Sequence, residues 1–112
     1  MPSSPLFRVD VEPERERVRV VPHGELDIAT VGQLATRIEE LRSRGFATIV
    51  LDLRQLAFMD STGLGLMLRL DAEARADGFS FSIMDCEGPV RRLLELTRMD
   101  GRLDHADDLI VD

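Results

Sequence analysis

The residues best placed to do chemistry lie together in Phe58-Met59-Asp60-Ser61-Thr62-Gly63-Leu64-Gly65. A serine beside an aspartate can cap a helix, act as an activated nucleophile, or accept a modifying group. Nucleophilic catalysis needs a base within reach of the hydroxyl. The chain holds two histidines, His23 and His105, and lacks the G-x-S-x-G elbow of serine hydrolases. His23 could lie at the same end of a sheet as Ser61, but it reads more simply as a turn residue, so no enzyme activity is expected. One cysteine and two histidines do not make a zinc cluster, and no metal or cofactor is expected. All 14 cationic residues are arginine, which removes P-loop and Schiff-base lysine chemistry.

The stretch also breaks local rules. Two glycines in a first helical turn cost about 1 kcal/mol each relative to alanine, and a costly local choice often marks a functional site. Asp60 suits the N-cap, its carboxylate accepting from the backbone N–H of Thr62 or Gly63. Met59 and Leu64 then form a hydrophobic staple. With Asp60 as the cap, the Ser61 hydroxyl is free to face solvent, and Gly63 and Gly65 leave bare backbone for a partner. A plain capping cluster explains the same residues, and on spacing alone it is the favoured reading.

The elements that must position this stretch follow from periodicity. Leu6 to Glu12 and Arg17 to Val21 alternate with period two and predict an antiparallel hairpin across Pro13–Glu16, with Phe7, Val9, Val11, Val18 and Val20 inward. Pro22 to Asp27 is expected to end the hairpin, with Pro22 at an edge or strand end. Thr30 and Gln33 read as a capping box for a helix with Val31, Leu34, Ala35, Ile38 and Leu41 on one stripe, Glu40 spaced to pair with Arg44, and Gly45 at its end. Phe46 to Leu53 is a nearly continuous apolar run and predicts a central strand covered on both faces. The helix opened by Asp60 runs to about Ala76 and is apolar over a wide arc, from Leu64 and Leu66 to Ala74. That surplus suits a partner surface or a neighbouring helix equally. Phe79 to Met84 is a further strand. Glu87-Gly88-Pro89 starts a helix with Val90, Leu93, Leu94 and Thr97 inward. The tail from Leu103 to Asp112 reads as a short strand or part of a helix.

The expected fold is therefore α/β, a mixed sheet of four to five strands with packed helices in the order β-β-α-β-α-β-α plus a short tail, in a single domain spanning 1–112. Ser61 falls just past the carboxyl end of the central strand, where open α/β sheets place their sites. The net charge of −7 disfavours nucleic acid and anionic membrane surfaces. Met1–Pro5 is not followed by the apolar stretch of a signal peptide, and no run of residues is long and apolar enough to span a bilayer. With a lone cysteine, Cys86, read as a small residue after a strand, the expected location is a reducing cytoplasm.

Three matches make the chain resemble the STAS domain, specifically the free-standing anti-sigma factor antagonists. They are Gly24-Glu25-Leu26-Asp27, the stretch Phe58 to Gly65, and Pro89-Val90-Arg91-Arg92-Leu93. The resemblance covers nearly the whole chain, and the middle match is the specific one. It implies that Ser61 is phosphorylated by a partner that is both anti-sigma factor and serine kinase and supplies ATP and Mg. The unmodified form binds that kinase and frees a sigma factor, phosphorylation ends binding, and a serine phosphatase resets the switch, as in bacterial stress or sporulation signalling. Partner-binding residues carried over by the resemblance are Asp27, Asp60, Ser61, Thr62, Gly63, Leu64, Gly65 and Leu66. The family usually continues into a longer C-terminal helix, where this chain has a short acidic tail with Asp107 and Asp108.

Two other readings compete. A receiver domain phosphorylated on Asp52 requires an acidic pair after the first strand and a later lysine; no lysine is present, and Asp52 is read as structural. A STAS domain with another role is the stronger alternative: a scaffold subunit of a stress-sensing complex, or an accessory subunit of a membrane transporter.

Overall fold

The computed structural model describes residues 6–84, 88–99 and 101–106. Cys86 and the possible tail element at Leu109-Ile110-Val111 lie outside the described residues. Both hairpin strands form where alternation placed them, as β1 (Arg8–Pro13) and β2 (Val18–Leu26). They pair antiparallel with Val11 opposite Val20, and the Glu14 N–H donates to the Arg17 carbonyl at 2.8 Å to close the turn. Phe7, Val18 and Val20 are buried.

β2 runs on through Pro22 to Leu26 instead of ending there. It is a central strand, with β1 on one edge and two parallel partners in succession on the other. β3 (Thr48–Asp52) pairs with Val18 to Val20, and β4 (Leu56–Met59) pairs from Gly24 to Leu26. Pro22 falls between these two partners, where a missing N–H leaves no ladder bond unmade. Gly24 is needed on this strand because a Cβ there would sit 2.6 Å from the Leu6 carbonyl oxygen. β5 (Ser80–Met84) pairs parallel to β3, giving a sheet ordered β1-β2-β3-β5 with β4 beside β2. The carboxyl ends of β2, β3, β4 and β5 therefore point one way.

Three helices connect or follow these strands: α1 (Val31–Ser43), α2 (Ser61–Asp77) and α3 (Pro89–Leu96). The observed order, β-β-α-β-β-α-β-α, has one more strand than the periodicity suggested. β4 was hidden because it is only four residues long and directly precedes the helix cap, too short to show a period of its own. As a result Ser61 follows the carboxyl end of β4, not of β3. α1 buries Leu34, Ile38 and Leu41; α2 buries Leu64, Leu66, Met67, Leu70 and Ala74 against the same core. The wide apolar arc of α2 is thus absorbed by packing. On α3, Val90 and Leu94 are buried, while Thr97 is exposed and its hydroxyl donates to the Leu93 carbonyl at 2.7 Å. The start of the tail lies along β5: the Ile83 N–H donates to Asp104 O, and the Ala106 N–H donates to Ile83 O, each at 2.9 Å.

Asp52, at the end of β3, is 1% exposed. Its carboxylate accepts from Arg19 Nη1 at 2.7 Å, from Arg54 Nε and Nη2 at 2.9 and 2.7 Å, and from the Arg54 backbone N–H at 3.0 Å. Burial pushes its pKa up, but the Arg54 and Arg19 bonds outweigh burial and hold it below the ordinary value. Arg19 also binds Glu12 and Glu14. This network ties the hairpin to β3, the structural role expected of Asp52.

Candidate phosphoacceptor surface

The surface is built from two loops at the carboxyl end of the sheet. Leu26 and Met59 are opposed in the β2–β4 ladder, and the Asp60 N–H donates to the Leu26 carbonyl at 3.2 Å. Residues 27–28 and 60–61 therefore leave the sheet side by side.

Asp60 caps α2 as its residue type predicts. Its backbone is extended, and Oδ1 accepts from the Thr62 backbone N–H at 2.9 Å and from the Thr62 hydroxyl. The Thr62 bonds hold the Asp60 carboxyl below its usual range, so it is charged at neutral pH. Ser61, the first residue of α2, is exposed, and its hydroxyl bonds to no described residue. Of two adjacent hydroxyls, one is tied to the cap and the other faces solvent.

Asp27 is fixed by Thr30. The Thr30 hydroxyl accepts from the Asp27 N–H at 3.0 Å and donates to the Glu25 carbonyl at 2.7 Å. Asp27 Oδ1 accepts from the Ala29 N–H at 2.9 Å, and Asp27 O accepts from Val31 N–H at 2.8 Å. The capping box expected between Thr30 and Gln33 does not form. Thr30 is 2% exposed, and its hydroxyl is used behind α1, holding the loop, instead of on the helix.

The residues singled out from the sequence divide into two layers. Asp27, Asp60, Ser61, Thr62 and Gly65 reach the surface. Gly63, Leu64 and Leu66 do not: Leu64 and Leu66 belong to the core. A Cβ on Gly63 would lie 2.6 Å from Met59 Cγ and 2.9 Å from Leu26 Cδ2. Gly63 thus permits internal close packing and is not bare backbone for a partner. At Gly65 an added Cβ meets nothing within 4 Å, so that residue does leave an open approach. Two apolar residues of this surface had no role assigned from the sequence: Ile28, and Phe58, which stood only as the first residue of the motif. Ile28 is 81% exposed and Phe58 is 44% exposed. Ile28 sits in a non-periodic loop. Phe58 faces away from the core because Met59, its neighbour on β4, faces in. His23 lies within β2, with Nε2 2.9 Å from Asp10 Oδ2 on β1, so it is a strand residue and not a turn residue.

Comparison with known proteins agrees with this architecture. A family model described as "Mlab, STAS domain" matches residues 8–111. The anti-sigma F factor antagonist of Paenibacillus polymyxa is 33% identical over 92 residues, 81% of this chain and 79% of its own length. An anti-sigma factor antagonist from Mycobacterium paratuberculosis superposes with a TM-score of 0.79 at 25% identity, covering 96% of this chain and 92% of that one. The Bacillus antagonist SpoIIAA, 26% identical, superposes in its unphosphorylated form with a TM-score of 0.71 (91% of this chain, 89% of that one) and in its phosphorylated form with 0.65 (91% and 92%). With a five-stranded mixed sheet and three helices among the described residues, and an exposed serine at the start of the second helix, this chain belongs to the STAS domain family, among the anti-sigma factor antagonists.

Proposed function

We propose that the unmodified chain binds an anti-sigma factor serine kinase through the surface around Asp27, Ser61 and Gly65, so freeing a sigma factor, and that phosphorylation of Ser61 ends that binding. The observation that carries this reading is the exposed, uncommitted Ser61 hydroxyl at the first position of α2, beside a Thr62 hydroxyl held by Asp60. Ile28 and Phe58 supply apolar contact area around it, and Gly63, Leu64 and Leu66 shape it from beneath. A phosphoryl group adds about −1.5 to −2 charges at neutral pH. It would join Asp60 and Asp27 on one small surface, turning an approachable patch into a strongly negative one. The kinase supplies ATP and Mg, a serine phosphatase restores the hydroxyl, and the chain itself acts as a cytoplasmic binding protein without catalysis. The phosphorylated form of SpoIIAA supports a phosphoprotein reading.

A second reading rests on the STAS fold alone: the matching family model, described as "Mlab, STAS domain", names no kinase or sigma factor. Under it, the same surface docks a transporter component or a stress-sensing scaffold, and the charge at position 61 is not the switch. Capture from native lysate with Ser61→Ala and Ser61→Asp baits separates the two. The phosphoswitch requires an ATP-dependent serine kinase retained by the alanine bait and weakened about 5–150-fold on the aspartate bait, the usual range of coupling energies. Equal capture by both baits, or capture of transporter subunits, overturns it.

A further inference from the structure

Among the described residues, β1 pairs on one side only and leaves its outer edge open. Pro22 determines which groups that edge offers. Opposed residues of an antiparallel pair alternate between positions that exchange both N–H···O bonds and positions that exchange neither. Pro22 has no N–H and stands opposite Val9, so Val9 occupies a position of the second kind. Arg8, Asp10 and Glu12 then direct their backbone groups to β2, while Phe7, Val9 and Val11 direct theirs outward. Pro13 is next in the outward series and has no N–H, so the usable edge ends at Val11.

An open edge of this kind accepts another strand unless its side chains forbid it. The side chains of Arg8, Asp10 and Glu12 share one face of β1, and their charges discriminate among symmetric antiparallel pairings of two copies. Centring the pair on Arg8 opposes two arginines; centring it on Asp10 sets Arg8 against Glu12 on either side but opposes two aspartates at the axis, where side chains of a non-hydrogen-bonded pair are closest. Centring it on Val11 opposes Asp10 to Glu12. Centring it on Val9 sets Arg8 of each copy against Asp10 of the other and Phe7 against Val11, with every outward N–H available. On the helix side, Val9 floors a groove of about 530 Å³ walled by Gly32, Gln33, Thr36, Arg37 and Glu40 of α1. Both Val9 side chains of such a pair would point to that side.

We propose that a second copy of this chain docks on β1, edge to edge in the Val9-centred register, joining two five-stranded sheets into one. β4 and Ser61 lie across β2 from this edge, so the seam leaves the phosphoacceptor surface open and does not depend on its role.

Sedimentation equilibrium of the full chain tests the pairing. Arg8→Asp sets carboxylates against each other across the seam, and Asp10→Arg sets guanidiniums against each other. Each alone weakens dimerisation by about tenfold or more, and an equimolar mixture of the two restores it, because the mixed pair again opposes unlike charges. Amide exchange of the wild-type chain gives a readout free of substitutions: Val9 and Val11 become protected as concentration rises. A chain that stays monomeric up to about 1 mM, the weak end of the affinity scale, overturns the proposal. So does a dimer whose Val9 and Val11 exchange is independent of concentration, or one that the mixture fails to restore.

Discussion

Alanine substitutions at Gly63 and Gly65, two residues apart on one helical turn, are expected to change stability in opposite directions. Both replace glycine inside α2, and each gains about 1 kcal/mol of helix propensity. At Gly65 the new methyl meets nothing within 4 Å, so the gain survives and Gly65→Ala stabilises by about 0.5–1 kcal/mol. At Gly63 the methyl arrives 2.6 Å from Met59 Cγ, 2.9 Å from Met59 Sδ and 2.9 Å from Leu26 Cδ2. Leu26 and Met59 are themselves buried, so neither can swing into open space. Overpacking of this kind costs about 1–3 kcal/mol, which leaves Gly63→Ala at a net loss of roughly 0–2 kcal/mol. The two variants should therefore differ by about 1–3 kcal/mol. Urea denaturation measures the difference as a shift of midpoint at constant slope. A Gly63→Ala chain as stable as Gly65→Ala would refute the assignment of Gly63 to internal packing and return it to the role of bare surface. Under the proposed switch, Gly65→Ala is also a more stable protein that binds its kinase less well.

Replacing Asp52 with alanine removes the buried carboxylate that Arg19 and Arg54 share. Breaking a fully buried pair costs about 3–5 kcal/mol. The expected loss here is about 2–3 kcal/mol in chemical denaturation, because Arg19 keeps Glu12 and Glu14 and Arg54 reaches solvent. The folded-state pKa of Asp52, like those of Asp60 and Glu14, is depressed. Its stabilisation is therefore complete above the ordinary carboxylate pKa, 3.8 for aspartate, and is lost as pH falls through the lower folded value. Stability should be flat near neutrality and decline below about pH 4, and Asp52→Asn should flatten that acid limb; an unchanged limb would remove Asp52 from the account. Thr30→Val deletes the hydroxyl that bridges Asp27 and Glu25, with an expected cost of about 2 kcal/mol and faster amide exchange at Asp27, both reversed by Thr30→Ser. Unaltered Asp27 exchange would show that the loop is held by something else.

What was legible in the sequence was whatever a period or a cap could encode. Alternation marked β1 and the first half of β2, the apolar stripe marked α1, and Asp60 announced its own cap. Three features were not legible, each for a physical reason. β4 is too short to display a period. Pro22 argues against a central strand by composition, and only the division of β2 between β3 and β4 makes it harmless there. Gly63 and Gly65 look equivalent in the sequence, yet one is pressed against Leu26 and the other is open, because the helix turns successive positions to different sides. The same rotation put Leu64 and Leu66 inside and Ser61 outside. Thr30 carried a capping signature that was correct about the residue being constrained and wrong about its partner, since Asp27 and Glu25 compete successfully for its hydroxyl.

The geometry at the start of α2 also bears on where a phosphate on Ser61 would act. A helix N-terminus ordinarily stabilises an anion through its unpaired N–H groups and its dipole. Here that capacity is partly used: the Thr62 N–H is taken by the Asp60 side chain, and the Gly63 N–H donates to the Asp60 carbonyl at 3.1 Å. A phosphoryl group on Ser61 would meet a charged Asp60 beside it and few free donors beneath it, so it would gain little from the helix and have little leverage to reshape it. Its charge would instead project into solvent, next to Asp27 and the exposed Ile28. The buried layer of Gly63, Leu64 and Leu66 gives the surface a fixed underside, held by core packing that a solvent-facing charge does not touch. A switch built this way changes what the surface repels while leaving its shape alone, and the free energy of switching is then felt by the partner and not by the fold.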